Sequence, residues 1–174
     1  MGFAPTDGMT RLYYVSLLLV ALALGPGLAH VLELPNKIGL PAQEYLTVQQ
    51  IYRGWAWLGA ILFAALGSTL AVAVSVREIR RAFSLALVAF FCLAAQLAVF
   101  FIFTYPTNRL TENWTFLPDG WEGLRIRWEY SHAVSALLVF TALAALVGSL
   151  LAAAREGALA GPFLLQVPRG MRRS

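Results

Sequence analysis

Four apolar runs, each long enough to cross a lipid bilayer, are the feature that most constrains the fold of this chain. They predict spans at about residues 12–32, 52–76, 82–105 and 131–154, because a helix needs roughly 20 apolar residues to cross the hydrocarbon. Only 13% of the residues are charged, about half the share that is usual in soluble domains. The alternating pattern of barrel strands is absent from the sequence. The sequence therefore predicts an all-α polytopic membrane protein, a single domain over residues 1–174 with four transmembrane helices bundled in the lipid bilayer.

The distribution of arginine predicts the orientation of this bundle. Arg77, Arg80 and Arg81 lie in the short turn between the second and third runs, and Arg155 follows the fourth run. Since positive residues favour cytoplasmic loops, we expect an integral cell membrane protein whose N and C termini, including a tail over residues 155–174, are cytoplasmic. The net charge of +4 arises mostly from this bias, so no nucleic-acid partner is expected. The first run also has the length of a signal-peptide core, and its cleavage is the alternative to a retained first helix.

Helices two and four are expected to extend beyond the bilayer on the outer side. The second helix is predicted to run over residues 41–76, because Pro41 suits a helix start and the next Gly or Pro is Gly54. The fourth helix is predicted to begin near Trp121, directly after a Pro-Asp-Gly turn. The third helix is expected to end near Pro106.

Two mirrored patterns, His30-x-x-Glu33 and Glu129-x-x-His132, lie at the outer ends of the first and fourth runs. A spacing of i, i+3 puts both side chains of a pair on one helical face. If the two helices are antiparallel neighbours, the histidines share one depth and the glutamates lie one turn further out. The four residues are therefore predicted to ligate a metal ion, with Fe, Cu, Mn and Zn as the metals that suit these ligands. Polar side chains expected to orient the ligands or to bind an anionic oxygen are Gln49, Tyr52, Asn108 and Arg125.

The same residues allow three alternatives to a metal site. In a metal-free site, His132 acts as a general base that Glu129 orients, and a substrate carbanion reacts directly with O2. In a b-type cytochrome, His30 and His132 are the axial ligands of one haem b. In a small structural or assembly subunit of a membrane complex, the high Ala and Gly content favours close helix packing. On a purely structural interpretation of the single residues, Glu129 pairs with Arg125 on its own helix and the tryptophans form an interfacial belt.

The chain also resembles the anthrone oxygenase-like family of small four-helix membrane proteins. The resemblance covers about Tyr14 to Leu151 and rests on the segments HVLELP (30–35), YL (45–46), QQIY (49–52), PTN (106–108) and above all WEGLRIRWEYSH (121–132). It implies the four-helix fold and the oxidation of an anthrone-type polyketide to a quinone, which is the activity of some members. It also implies a role for Asn108, Arg125, Trp128 and His132.

We therefore expect an integral membrane oxidoreductase of the oxygenase type that acts on a hydrophobic small molecule such as an anthrone or a quinone. The expected catalytic residues are His132, Arg125 and Asn108. The side chains expected to contact a cofactor or the substrate are Trp128, Gln49 and Tyr52. The structural-subunit alternative predicts instead a membrane-protein partner or a second copy of the chain.

Overall fold

The computed structural model describes residues 7–156, which are helical apart from short connections. The helices are α1 (Asp7–Lys37), α2 (Ala42–Gln49), α3 (Leu58–Ser75), α4 (Arg80–Val99), α5 (Tyr105–Leu110) and α6 (Trp121–Arg155). No β-strand occurs in the described residues, which confirms the all-α prediction. The predicted C-terminal tail lies almost entirely outside them, at residues 157–174.

Four segments are long and apolar enough to cross a membrane: Gly8–Lys37, Trp55–Ser75, Arg80–Leu110 and Trp121–Arg155. They coincide with the four predicted spans, and the first, third and fourth continue beyond the predicted ends. The chain is thus a bundle of four membrane-length helices. Both the fold class and the number of spans are as the sequence predicts.

The long helices form a ring in which each packs against two others, in the order α1, α3, α4 and α6. The hydroxyls of Tyr13, near the start of α1, and Ser149, near the end of α6, are hydrogen-bonded at 2.7 Å. Ser149 also donates a hydrogen bond of 2.8 Å to the carbonyl of Ala82 at the start of α4. Neighbouring helices therefore run antiparallel. The end of the bundle where Tyr13, Ser149 and Ala82 meet is named the arginine end. Its exposed arginines include Arg77, Arg80, Arg81 and Arg155.

Alanine and glycine allow the helices to pack closely. Fully buried alanines between the helices include Ala65, Ala82, Ala86, Ala89 and Ala142. At Gly27 of α1 an added Cβ would lie only 3.1 Å from the Cβ of Ala136 on α6. Small residues of this kind let helix backbones approach one another. The resulting van der Waals contacts are one of the forces that drive helix association in a membrane.

The sequence predicted one continuous helix over residues 41–76, and this prediction is wrong. Two 3₁₀ turns, Gln50–Tyr52 and Trp55–Trp57, separate α2 from α3, and Gly54 between them has a φ of 87°. That left-handed conformation ends a helix and strongly favours glycine. As a result α2 is a separate short helix at the end of the bundle opposite the arginine end, where Tyr45 packs against Trp114. We name this second end the polar end.

The third span continues past its predicted end at Pro106. After α4 the chain passes through a π-helical turn, Phe100–Thr104, and then forms α5. Pro106 lies in the first turn of α5, where its missing N–H is well tolerated. A π-turn widens a helix locally and is often found at functional sites.

Candidate functional site

The side chains buried at the polar end of the bundle include charged and strongly polar groups. His30, Lys37, Gln49 and Glu129 are each at most 4% exposed. Burying such groups is costly unless protein partners replace the lost water. The partners of these side chains therefore define the candidate site.

The ammonium of Lys37 lies between the two glutamates that were predicted to ligate a metal. Its Nζ is 3.3 Å from Oε2 of Glu33 and 3.3 Å from Oε1 of Glu129. It also donates a hydrogen bond of 2.6 Å to the hydroxyl of Tyr52, and that hydroxyl donates in turn to Glu33. One buried cation thus joins α1, α6 and the segment after α2, and it compensates the carboxylate charge that burial leaves without water.

The Glu129 carboxylate is also held from the side of α2. The hydroxyl of Tyr45 donates a hydrogen bond of 2.8 Å to Oε1 of Glu129, and Nε2 of Gln49 lies 3.5 Å from the same atom. Burial raises the pKa of the Tyr45 phenol well above its ordinary value, and the neighbouring Glu129 carboxylate raises it further. Tyr45 therefore stays a neutral hydrogen-bond donor at physiological pH.

His30 and His132 lie face to face, at one depth, as the mirrored patterns predict. Their ring centroids are 4.1 Å apart and the ring planes differ by 25°. The indole of Trp128 stands edge-on to both rings, 4.9 Å from His30 and 4.2 Å from His132. Nδ1 of His30 and Nε2 of His132 are buried and have no hydrogen-bond partner within residues 7–156. Each imidazole can therefore still bond to a ligand.

Both imidazoles face a cavity of about 740 Å³ that lies between the long helices. Its walls are mostly apolar, and the π-turn Phe100–Thr104 forms part of them. The polar side chains that line it include His30, Gln49, Gln96, Asn108, His132 and Ser135. A concave, largely apolar space with a few polar groups is typical of a small-molecule site.

Backbone in an unusual conformation forms part of the cavity wall at the polar end. Glu112, Asn113 and Trp114 have successive φ angles of 49°, 56° and 61°, a region that costs roughly 1–2 kcal/mol for each residue other than glycine. The N–H of Asn113 donates a 2.6 Å hydrogen bond to the carbonyl of Asn108, and Nε2 of Gln50 donates one of 2.8 Å to the carbonyl of Trp114. These bonds hold the strained segment in place at the site, and strain of this kind clusters at functional sites.

Five of the six residues predicted to be catalytic or ligand-contacting lie on the cavity wall. They are His132, Asn108, Trp128, Gln49 and Tyr52. Oδ1 of Asn108 accepts a hydrogen bond of 2.7 Å from the indole N–H of Trp128, which fixes that ring against the imidazoles. Asn108 therefore positions the aromatic neighbour of the histidine pair.

Arg125 is the sixth of these residues, and it does not line the cavity. Its guanidinium donates a hydrogen bond of 2.7 Å to the carbonyl of Leu40 and lies 4.6 Å from the Trp121 ring. It thus ties the start of α6 to the connection between α1 and α2. Glu129 pairs with Lys37, so the intrahelical pair with Arg125, which the structural interpretation of this residue expected, is not formed.

The predicted metal ligands do not come together as one set. Within residues 7–156 no group of three or more His, Cys, Asp and Glu side chains is placed to hold a metal ion. The two histidines face the cavity, whereas Glu33 and Glu129 turn to Lys37. The ammonium therefore takes both carboxylates that the metal site required, and this arrangement does not fit an Fe, Cu, Mn or Zn ion held by all four side chains.

The arrangement does not fit a haem between the two histidines either. Axial imidazoles of one haem approach the iron from opposite faces of the macrocycle. The rings of His30 and His132 are in direct contact, so no macrocycle has room between them.

Sequence reasoning missed Lys37, because it ended the first helix before Pro35. The structure continues α1 through Pro35 to Lys37. His30, Glu33 and Lys37 then follow a spacing of i, i+3 and i+7, which puts them on one face. That spacing was the available signal. Gln96 and Ser135 carried no comparable signal, since each is a lone polar residue within an apolar run.

Comparison with protein-family models, with curated proteins and with solved structures finds no match for this chain. The resemblance to the anthrone oxygenase-like family therefore stays a prediction.

Replacement of Lys37 by methionine is expected to lower the free energy of unfolding by about 3–5 kcal/mol, because it leaves buried carboxylate charge uncompensated. Glu129→Gln added to Lys37→Met is expected to restore much of that loss, since it removes the stranded charge. The measurement is reversible unfolding of the purified protein in mixed detergent micelles.

Arg77→Met is the matched control, because it removes an exposed cation whose ion pair with Glu78 at the arginine end should contribute at most about 1 kcal/mol. A Lys37→Met protein as stable as the wild type would refute the role given to this ion pair network.

Proposed function

We propose that this protein is an integral membrane enzyme of the oxygenase type, which binds a hydrophobic small molecule in the cavity between its helices and removes a proton from it at the His30–His132 pair. The observation that carries the proposal is the stacked pair of imidazoles, with buried nitrogens that have no partner among the described residues, on the wall of a largely apolar cavity. Imidazole is the side chain most often used as a general base. The resemblance to the anthrone oxygenase-like family supports the same class of reaction.

The reaction that suits this site is the oxidation of an activated methylene group to a ketone. An imidazole takes a proton from a methylene group whose carbanion is stabilised by a conjugated carbonyl and flanking aromatic rings. The carbanion reduces O2 and forms a C–O bond to it, and the imidazolium returns its proton to the resulting peroxide. Loss of water then leaves the ketone, so one methylene group and one molecule of O2 become one ketone and one molecule of water. O2 is the only oxidant, and Trp128 and Asn108 serve to hold the imidazoles in place.

We infer that the substrate reaches the cavity from the bilayer. Phe63 of α3 and Phe101 of the π-turn both line the cavity, and they are also 55% and 53% exposed on the outer surface of the bundle. Side chains that belong to both surfaces mark a thin wall between α3 and α4. An apolar molecule dissolved in the lipid can pass there without entering water, while the segment 112–115 forms the wall on the polar side.

The test is turnover of an anthrone by the purified protein in lipid nanodiscs, with O2 uptake and quinone absorbance recorded together. We expect one O2 consumed for each quinone formed, no accumulation of hydrogen peroxide, and a rate that a metal chelator leaves unchanged. His132→Ala is expected to lower the rate at least about 100-fold, the usual contribution of a general base.

Thr141→Val is the control for that comparison, because Thr141 is exposed on the lipid side of α6 and donates only to the carbonyl of Leu137 on its own helix. Anthrone oxidation no faster than in empty nanodiscs, or equally fast in the His132→Ala protein, would refute the proposed function. A structural or assembly subunit would then be the better account.

We further propose that the arginine end is cytoplasmic and that the polar end with the site faces outward. The arginine end exposes the four arginines named above against two glutamates, Glu78 and Glu156. At the polar end Lys37 is buried, and the exposed Arg53, Arg109 and Arg127 are offset by the exposed Glu44, Glu112, Asp119 and Glu122. Exposed positive charge favours the cytoplasmic side. The orientation puts the candidate site within reach of the outer leaflet.

Cysteine labelling in intact cells tests this orientation. In a Cys92→Ser background, Glu112→Cys at the polar end of the cavity is expected to react with a membrane-impermeant maleimide. Glu78→Cys, which is also exposed but lies at the arginine end, is expected to react only after permeabilisation. The reverse pattern would overturn the orientation.

A further inference from the structure

Gln96 is a polar side chain deep in a transmembrane helix that the proposed reaction does not use. It lies on α4 within the apolar segment Arg80–Leu110 and lines the cavity. Its Oε1 is buried and has no hydrogen-bond partner in the part of the chain that the structure describes. A carbonyl of this kind inside a membrane bundle is costly and is usually retained for a function. A ligand that donates a hydrogen bond would offset that cost.

Along the bundle axis, Gln96 lies closer to the arginine end than the histidine pair does. The hydroxyls of Thr104 and Ser131 are hydrogen-bonded at 2.8 Å, which puts His132, the residue after Ser131, near the level of Thr104. Gln96 precedes Thr104 by eight residues, or about 12 Å at the helical rise per residue, towards the arginine end. The cavity therefore offers two polar anchor points about two helical turns apart, and apolar side chains such as Leu97 line the wall between them.

We propose that Gln96 determines substrate specificity: its Oε1 accepts a hydrogen bond from a hydroxyl at the far end of an elongated aromatic ligand whose other end contacts His30 and His132. The inference rests on the proposed use of the cavity as a ligand site, but not on the oxidation step. It assigns two polar ends to the ligand, of which only one is near the reacting atoms.

A neutral hydroxyl is the group that suits this position. The amide NH2 of Gln96 can donate to a ketone or an ether, but only a hydroxyl also offers a donor to Oε1. A ligand carboxylate is disfavoured at this position, because it would be repelled by the negative end of the Gln96 carbonyl dipole and would lose its hydration. The charged side chains that line the cavity, Arg53 and Glu112, belong to segments at the polar end. The far end therefore selects a phenol or an alcohol.

The test compares two phenols that differ only in the second hydroxyl, 4,4′-dihydroxybiphenyl and 4-hydroxybiphenyl. Binding is followed by quenching of tryptophan fluorescence, since Trp55, Trp114 and Trp128 line the cavity, and each affinity is corrected for partition into the detergent. Wild-type protein is expected to bind the diol about tenfold more tightly, the effect of one additional hydrogen bond in a buried site.

Gln96→Leu is expected to bind the two phenols with affinities within about twofold of each other, because it keeps the volume and removes the acceptor. Thr141→Val, the lipid-side control on α6, is expected to keep the preference for the diol. Gln96→Met serves in place of Gln96→Leu if the leucine variant does not fold.

A preference for the diol that survives in the Gln96 variant would overturn the assignment, and so would equal affinities in the wild type. Wild-type protein that binds neither phenol would contradict both this inference and the proposed function. A Gln96-dependent preference in a protein that consumes no O2 would support the inference and refute only the oxidation.

Discussion

The buried ammonium of Lys37 is the interaction that the polar end of this bundle depends on. It contacts carboxylates on α1 and α6 and the hydroxyl of Tyr52, so three segments that are distant in sequence meet at one charge. In a medium of low dielectric each of these charges would be costly alone, and in this arrangement the ammonium compensates both carboxylates. That arrangement fixes the register of α1 against α6. Because His30 and Glu33 share a face of α1, the same register brings His30 onto His132.

The two ends of the bundle differ in how their helices pack. Towards the arginine end, buried alanines bring the backbones close together, and short hydroxyl bonds such as Tyr13 to Ser149 link the helices. Towards the polar end, the helices are interrupted by the break at Gly54 before α3 and by the π-turn Phe100–Thr104 after α4. Residues of both interruptions line the cavity. Tight packing at one end thus supports an open ligand space at the other.

The apolar runs were sufficient to predict the four spans, because the length of a membrane crossing leaves few alternatives. The mirrored spacing of His30 and His132 also predicted correctly that the two imidazoles share one depth. That Lys37 pairs with the two carboxylates could not be predicted so simply. Pro35 precedes it by two residues, and a helix usually ends at or before the residue that precedes a proline. α1 nevertheless continues through Pro35, and a residue assigned to a loop becomes the central cation of the site. A continuous second helix was also wrong, because one left-handed glycine, Gly54, is enough to redirect the chain.

Solid-state NMR of the protein in lipid, with only histidine labelled with ¹³C and ¹⁵N, tests the central claim most directly. The chain contains only two histidines, so every imidazole signal comes from the pair. Rings with centroids 4.1 Å apart should give a strong through-space cross-peak between His30 and His132, and both signals should shift when a phenolic ligand is added. Two isolated imidazole signals without a cross-peak, unaffected by the ligand, would contradict the account of a histidine pair at a ligand cavity.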